Sequence, residues 1–211
     1  MQLSARRVYD DLRAATKQQK RGITMADCFA PETVLAQNST LHPLLILVGT
    51  TTVAPTKIPF VARDRFIANI GKEASVKISC LGDSFKSWLL RKEEQPIMGS
   101  TLRYGKLSRY ANDYHIFEEL GGKEKAEITL AELFSLMEAQ KNGEGGPLLI
   151  NGYVNICYIR DVVGILRAVS VDWSDGGWYV DAEAVSGPYE WRSGQQVFFR
   201  NTHFPPGIKS L

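Results

Sequence analysis

Residues 165–185 read ILRAVSVDWSDGGWYVDAEAV, and this stretch decides the fold class. Its centre, Ser174-Asp175-Gly176-Gly177, is rich in residues that tolerate positive φ. The runs on either side, 165–173 and 178–185, alternate apolar and polar residues with the period of a strand. Closing a four-residue turn sets Trp173 opposite Trp178, Val171 opposite Val180 and Val169 opposite Ala182. One face then carries Ile165, Val169, Val171, Trp173, Trp178, Val180, Ala182 and Ala184. The other carries Ser170, Asp172, Tyr179, Asp181 and Glu183. A slip of one residue would bury the acids, so the register is well specified.

Working outward, 148–160 and 195–200 supply further strands, and with the hairpin they make a small antiparallel meander whose edges need cover. Upstream, 130–141 predicts an amphipathic helix. Leu130, Leu133, Phe134 and Met137 share one face, and Thr129 and Glu132 have capping-box spacing. Asn142-Gly143 supplies a left-handed stop. The stretch 143–147 reads as a linker between a mixed region, 1–142, and a β-rich region, 148–200, unless the two form one continuous domain. Residues 201–211, with Pro205-Pro206, read as an irregular tail.

In the first region, 44–53 and 57–70 look like strands separated by Ala54-Pro55-Thr56. In 75–81, Val76, Ile78 and Cys80 alternate with Ser75, Lys77 and Ser79. Residues 85–92 fit a strand or a short helix, and 99–110 an extended segment or loop. A helix over 4–20 follows from Val8, Leu12 and Ala15, with Gly22 as its stop; 23–43 is irregular. The fold class expected is α+β: an N-terminal mixed region, one central amphipathic helix and a C-terminal antiparallel meander.

Composition agrees with a globular chain. Of 211 residues, 44% are hydrophobic and 23% charged, far from the profile of disorder. A formal net charge of +2 gives no global bias toward nucleic acid. The longest apolar run, 41–48, is broken by His42 and Pro43, so no membrane partner is expected. No apolar stretch follows the charged N-terminus, so no secretory leader is expected either. Cys28, Cys80 and Cys157 are far apart and odd in number. Buried thiols in a reducing cytoplasm fit that pattern better than disulfides or zinc.

Few residues suggest chemistry. Gly82-Asp83-Ser84 directly follows the strand at 76–81, and Asn112-Asp113 comes later. These resemble the first block and the Asn-Asp block of the GDSL (SGNH) hydrolases. The resemblance covers a handful of residues and implies Ser84 as a nucleophile beside Asp83. About 80 residues precede the serine, whereas the family's serine lies near the start of its domain. The family's late Asp-x-x-His block is missing, because His203 stands in Asn201-Thr202-His203 with no aspartate three residues before it. Ser84 therefore lacks a histidine base oriented by an acid. Asp113 and His115, two apart, could share one strand face, but a pair is not a metal site. Lys123-Glu124-Lys125 after Gly121-Gly122 does not match the P-loop, and no metal or cofactor is implied.

Binding is the better-supported class. Arg103, Tyr104, Lys106, Arg109 and Tyr110 interleave cations with aromatic rings, as single-strand binders do. Residues 1–21 add a basic segment, with Arg6, Arg7, Arg13, Lys17, Lys20 and Arg21 against Asp10 and Asp11. Acidic residues within 57–125 interrupt any continuous basic track. The expectation is a non-catalytic binding protein, with a protein or peptide partner ahead of single-stranded nucleic acid. The alternative is a hydrolase acting through Ser84.

Overall fold

The hairpin forms with the expected cross-strand pairs. Trp173 lies opposite Trp178, Val171 opposite Val180 and Val169 opposite Ala182. The turn is tighter than four residues: Ser174 pairs with Gly177, leaving only Asp175 and Gly176 between the strands. Both have positive φ, 54° and 77°. Their twist matches that of the strands they join, which is why Asp-Gly favours this two-residue turn. The two indoles meet edge to face, with centroids 5.2 Å apart and planes at 82°.

A computed structural model of the chain describes residues 42–187 and 189–200. The expected helix over 4–20, the basic segment 1–21, most of the irregular 23–43, Cys28, His203 and the tail 201–211 lie outside the described residues.

The fold is α+β. The strands are β1 (Leu45–Val53), β2 (Phe60–Val61), β3 (Ile78–Leu81), β4 (Glu93–Glu94), β5 (Ser100–Leu107), β6 (Asn155–Arg160), β7 (Leu166–Ser174), β8 (Gly177–Ala184) and β9 (Gln196–Phe199). Seven form one sheet in the order β1-β5-β9-β6-β7-β8-β3, and β2 pairs with β4. The helices are α1 (Ala62–Arg65), α2 (Asp83–Trp88), α3 (Asp113–Leu120), α4 (Lys123–Ala126) and α5 (Leu130–Ala139). None of the described helices is long and apolar enough to cross a membrane.

β6, β7 and β8 make the antiparallel meander. β9 departs from the expectation: it runs parallel to β6 and antiparallel to β5. At the far side β3 runs parallel to β8. Strands from both sides of 143–147 therefore share one sheet, and the described residues belong to one compact unit.

The sheet is covered on both faces. Cys157, Ile159, Val169, Val171, Trp178, Val180 and Phe198 point into a first core under α5. Their sequence neighbours Ile156, Tyr158, Leu166, Ala168, Val197 and Phe199 point into a second core under α3. This corrects the reading of the hairpin's second face as polar throughout, since its Leu166 end is buried. On the first face, Ile165 precedes the strand and is 52% exposed.

Other expectations fail where a strand changes parity. The register shifts between Ile78 and Cys80. As a result Val76, Ile78 and Leu81 are buried while Cys80 is exposed. A buried thiol was expected there, as is found at Cys157. A shift between Leu47 and Gly49 acts likewise in β1, sending Leu45 to the second core and Val53 to the first. The expected strand 57–70 is mostly absent. Two residues pair as β2, then the Phe66 amide closes a helical turn onto the Ala62 carbonyl at 2.8 Å. That turn buries Phe60, Ala62 and Phe66 and leaves Ile58, Ile67 and Ile70 exposed. Asp113 and His115 lie on α3, not on a strand.

α5 starts at the predicted capping box: the Glu132 amide donates to the Thr129 hydroxyl, and the Thr129 amide to the Glu132 carboxylate. Glu94 adds a carboxylate to the same end, accepting from the amides of Leu130 at 3.0 Å and Ala131 at 2.8 Å.

The central strands are joined by a buried polar pair. Gln196 donates to Asn155 at 3.2 Å, and Asn155 donates to the carbonyls of Leu149 and Val171, both at 3.1 Å. Asn155→Ala is expected to cost about 2 to 3 kcal/mol, because it strands several buried groups. Thr129→Ala, which loses one cap, should cost about 1 kcal/mol. Urea unfolding of both variants checks the order, and a Thr129→Ala loss exceeding that of Asn155→Ala would contradict it.

Candidate functional site

The five residues expected to bind do not share one surface. Arg103, Tyr104 and Lys106 lie on β5, where alternation sends Tyr104 and Lys106 to one face and Arg103 to the other. The Tyr104 ring stacks on Phe198 at 5.4 Å and packs against the first core. Gly49 makes room for it, since a Cβ there would lie 2.7 Å from the Tyr104 hydroxyl. Arg103 and Lys106 are half-buried and in no ion pair among the described residues. Arg109 is exposed and donates to the His42 carbonyl at 2.8 Å. Tyr110 is 63% exposed.

Tyr110 belongs to a cleft that sequence reasoning missed. After β5 the chain forms the loop 108–112, which is tied to 189–195. Ala111 and Trp191 exchange backbone hydrogen bonds at 3.0 and 2.7 Å, and the Gly194 amide donates to the Leu107 carbonyl at 2.8 Å. Gly194 lies against the ring of Tyr153, where a Cβ would approach to 2.8 Å, so a third loop, 149–154, joins the other two. Between them is a cleft of ≈ 520 Å³ lined by Tyr110, Asn151, Tyr153, Arg192, Ser193 and Gln195. On the other side of Tyr110 is a smaller cleft of ≈ 250 Å³, lined by Arg109, His115, Glu118 and Glu119.

A buried carboxylate holds this region from below. Asn112 caps α3 by accepting from the His115 amide at 3.1 Å. Asp113, the first helical residue, is 2% exposed. Its Oδ1 accepts from the Tyr158 hydroxyl at 2.6 Å and from Trp191 Nε1 at 2.7 Å. Burial raises the Asp113 pKa, and the two hydrogen bonds offset only part of that rise. Burial, followed by the Asp113 charge, pushes the Tyr158 hydroxyl well above its usual range. Asp113 thus ties Trp191, and with it the loop 189–195, to α3 and β6. An Asn-Asp pair at a helix start was the available signal.

Gly82-Asp83-Ser84 does join a strand to a helix, β3 to α2. The glycine lies against Asp181, whose carboxyl a Cβ would meet at 2.0 Å. Asp181 accepts from the amides of Ala182 at 2.8 Å and Phe85 at 3.4 Å, and from the Tyr179 hydroxyl at 3.2 Å. Burial and the Asp181 charge push the Tyr179 hydroxyl up to about 12. Asp83 is exposed and pairs with Lys86 at 3.2 Å. The Ser84 hydroxyl makes no hydrogen bond among the described residues. Nor do three or more His, Cys, Asp or Glu side chains among them converge as metal ligands.

No protein-family model, curated protein or solved structure matches the chain.

The raised pKa of Asp113 has a definite sign. The folded state holds this proton more tightly than an unfolded chain, whose aspartate titrates near 3.8. The Asp113 contribution to stability is therefore complete below 3.8, declines as pH rises through the folded value, and is constant above it. Asp113→Asn keeps an acceptor for Tyr158 and Trp191 but has no proton to lose. Urea midpoints measured against pH should show the wild type losing ground to this variant as pH rises from 3.8. A wild-type advantage that grows as pH rises toward 3.8 and then stays level would mean the carboxyl is held below 3.8.

Proposed function

We propose that this is a non-catalytic binding protein that takes a protein or peptide partner in the cleft between 108–112, 149–154 and 189–195. The observation that supports this most is the pairing of exposed rings with adaptable polar groups on braced loops. Tyr110 and Tyr153 are 63% and 46% exposed, and both line the cleft with Arg192, Asn151 and Ser193. Tyrosine and arginine recur among the residues that dominate protein recognition, tyrosine because its rigid ring buries a large area at small entropic cost and arginine because it offers several donors in a fixed fork. Asn, Ser and Gly supply hydrogen bonds that adapt to a partner's backbone. Loops held on a rigid sheet are where such groups recur.

Single-stranded nucleic acid is the less supported partner. It needs a cationic track beside its stacking surfaces. Glu118 and Glu119 line the cleft on the other side of Tyr110, and the Tyr104 ring is packed on Phe198.

Selection from a random displayed peptide library gives the test, followed by titration of the synthesised winners. Tyr110→Ala or Tyr153→Ala should weaken them by about 2 kcal/mol, roughly 30-fold. An oligothymidylate of about 20 nucleotides should bind more weakly than the selected peptides even at low salt, where its affinity is greatest. Winners unaffected by Tyr110→Ala, Tyr153→Ala and Arg192→Ala would reject the cleft. Tight oligothymidylate binding lost in the same variants would reassign it to nucleic acid.

A further inference from the structure

The seven-stranded sheet has two edges, and they are guarded unequally. The β3 edge is four residues long, broken by a register shift, and closed by an antiparallel bridge between Ile78 and Asn69. Short, irregular, covered edges do not recruit other strands. β1 is nine residues long, LILVGTTTV, with no charge and no proline. Its exposed side chains include Val48, Thr50 and Thr52. The register shift before Gly49 leaves 49–53 as a regular segment.

Hydrogen-bond alternation shows which groups of that segment face outward. The Ser108 amide donates to the Leu44 carbonyl, so even-numbered residues of β5 direct their backbone groups toward β1. Their partners Gly49, Thr51 and Val53 point back at Tyr104, Leu102 and Ser100. The amides and carbonyls of Thr50 and Thr52 therefore point away from the sheet. Among the described residues they have no hydrogen-bond partner. Donors and acceptors at this spacing are complementary to one thing, the backbone of another extended chain.

Charge decides whose chain it is. Arg103 sits directly opposite Thr50, and its guanidinium makes no ion pair or hydrogen bond among the described residues. A strand added to β1 would lie about 9.6 Å from β5, two strand spacings. Arginine and glutamate side chains can span that distance between them, and the short Thr50 side chain does not block their meeting. A second copy of β1 would offer no carboxylate and would bring two Arg103 side chains toward each other.

We infer that 49–53 of β1 binds an extended, acidic segment of a partner protein by strand addition, with Arg103 pairing a carboxylate opposite Thr50. This surface is separate from the Tyr110–Tyr153 cleft and does not rest on it.

The probes are two capped peptides, Thr-Val-Thr-Val-Glu-Val-Thr-Val-Thr and the same sequence with Lys for Glu. Each is titrated into the full chain, with amide hydrogen exchange read residue by residue. The Glu peptide should slow exchange at Thr50 and Thr52 and bind roughly fivefold tighter than the Lys peptide at low salt. Arg103→Glu should reverse that preference while leaving exchange in β6–β8 unchanged. Thr50→Pro, which removes an outward donor, should abolish protection by both peptides. Three results would overturn the inference: no slowing at Thr50 and Thr52 with either peptide, a preference indifferent to Arg103→Glu, or protection that depends on protein concentration alone. The last would assign the edge to a second copy.

Discussion

Asn155 and Gln196 face each other across β6 and β9, both fully buried or nearly so. Every residue of β9 is buried, and in β6 all but Arg160. In such strands hydrophobicity cannot set the register. A slip of one residue exchanges Ile156 and Tyr158 for Cys157 and Ile159, and each set is apolar enough for either core. The amides resolve this degeneracy. Gln196 reaches the Pro147 carbonyl and Asn155; Asn155 reaches Leu149 and Val171. Any other register leaves several of these groups buried without partners, at a cost of about 1 to 3 kcal/mol each. Because β9 and β6 join the β1–β5 ladder to the meander, this small polar cluster aligns the whole sheet.

The three buried carboxylates among the described residues, Asp113, Glu132 and Asp161, divide into two paired with arginines and one without a cation. Glu132 accepts from the amide of the cap residue Thr129 with Arg200 beside it, and the partly buried Glu94 accepts from the first-turn amides of α5 with Lys92 beside it. Burial alone would raise the Asp161 carboxyl, but the amides of Ile165 and Val163 and the Arg167 side chain outweigh it and hold it below its usual value. Arg167 in turn lies over the Trp88 ring at 3.8 Å. Asp113 has only the neutral donors of Tyr158 and Trp191, so there burial prevails. The exception stands directly beneath the loops that carry the tyrosine cleft.

What was legible from sequence was local. The hairpin register and the capped helix follow from turn chemistry, period and spacing within 165–185 and 129–141. Other features depend on facts that counting by twos or by three and four does not register. One extra residue near Val48 and another near Ser79 reverse which side chains go inward, so Cys80 emerges where alternation buries it. The parallel pairing of β9 with β6 is set by contacts far apart in the chain. α3 carries signals at both ends, Asn112 as its cap and Gly121 at positive φ as its stop, but only eight residues between them in which to show a helical period. Of the candidate site, Tyr110 is the one residue the sequence singles out, as a ring beside the cation Arg109. Tyr153 and Arg192 come from distant loops, and their proximity exists only once β9 and β6 are side by side.

The position of β9 also bears on how the protein is made. It is late in the chain and central in the sheet, so a polypeptide emerging from the ribosome completes β5 and the β6–β8 meander before β9 appears. Until then, the flanks of β5 and β6 that β9 will occupy are open, and β6 is apolar on both faces. Such flanks are adhesive on crowded polysomes, where neighbouring nascent chains carry the same sequence. Slower translation up to Asn155 would do little for this chain. Rapid passage through the 35 residues between β6 and β9, 161–195, would shorten the interval during which a chaperone is needed to shield them.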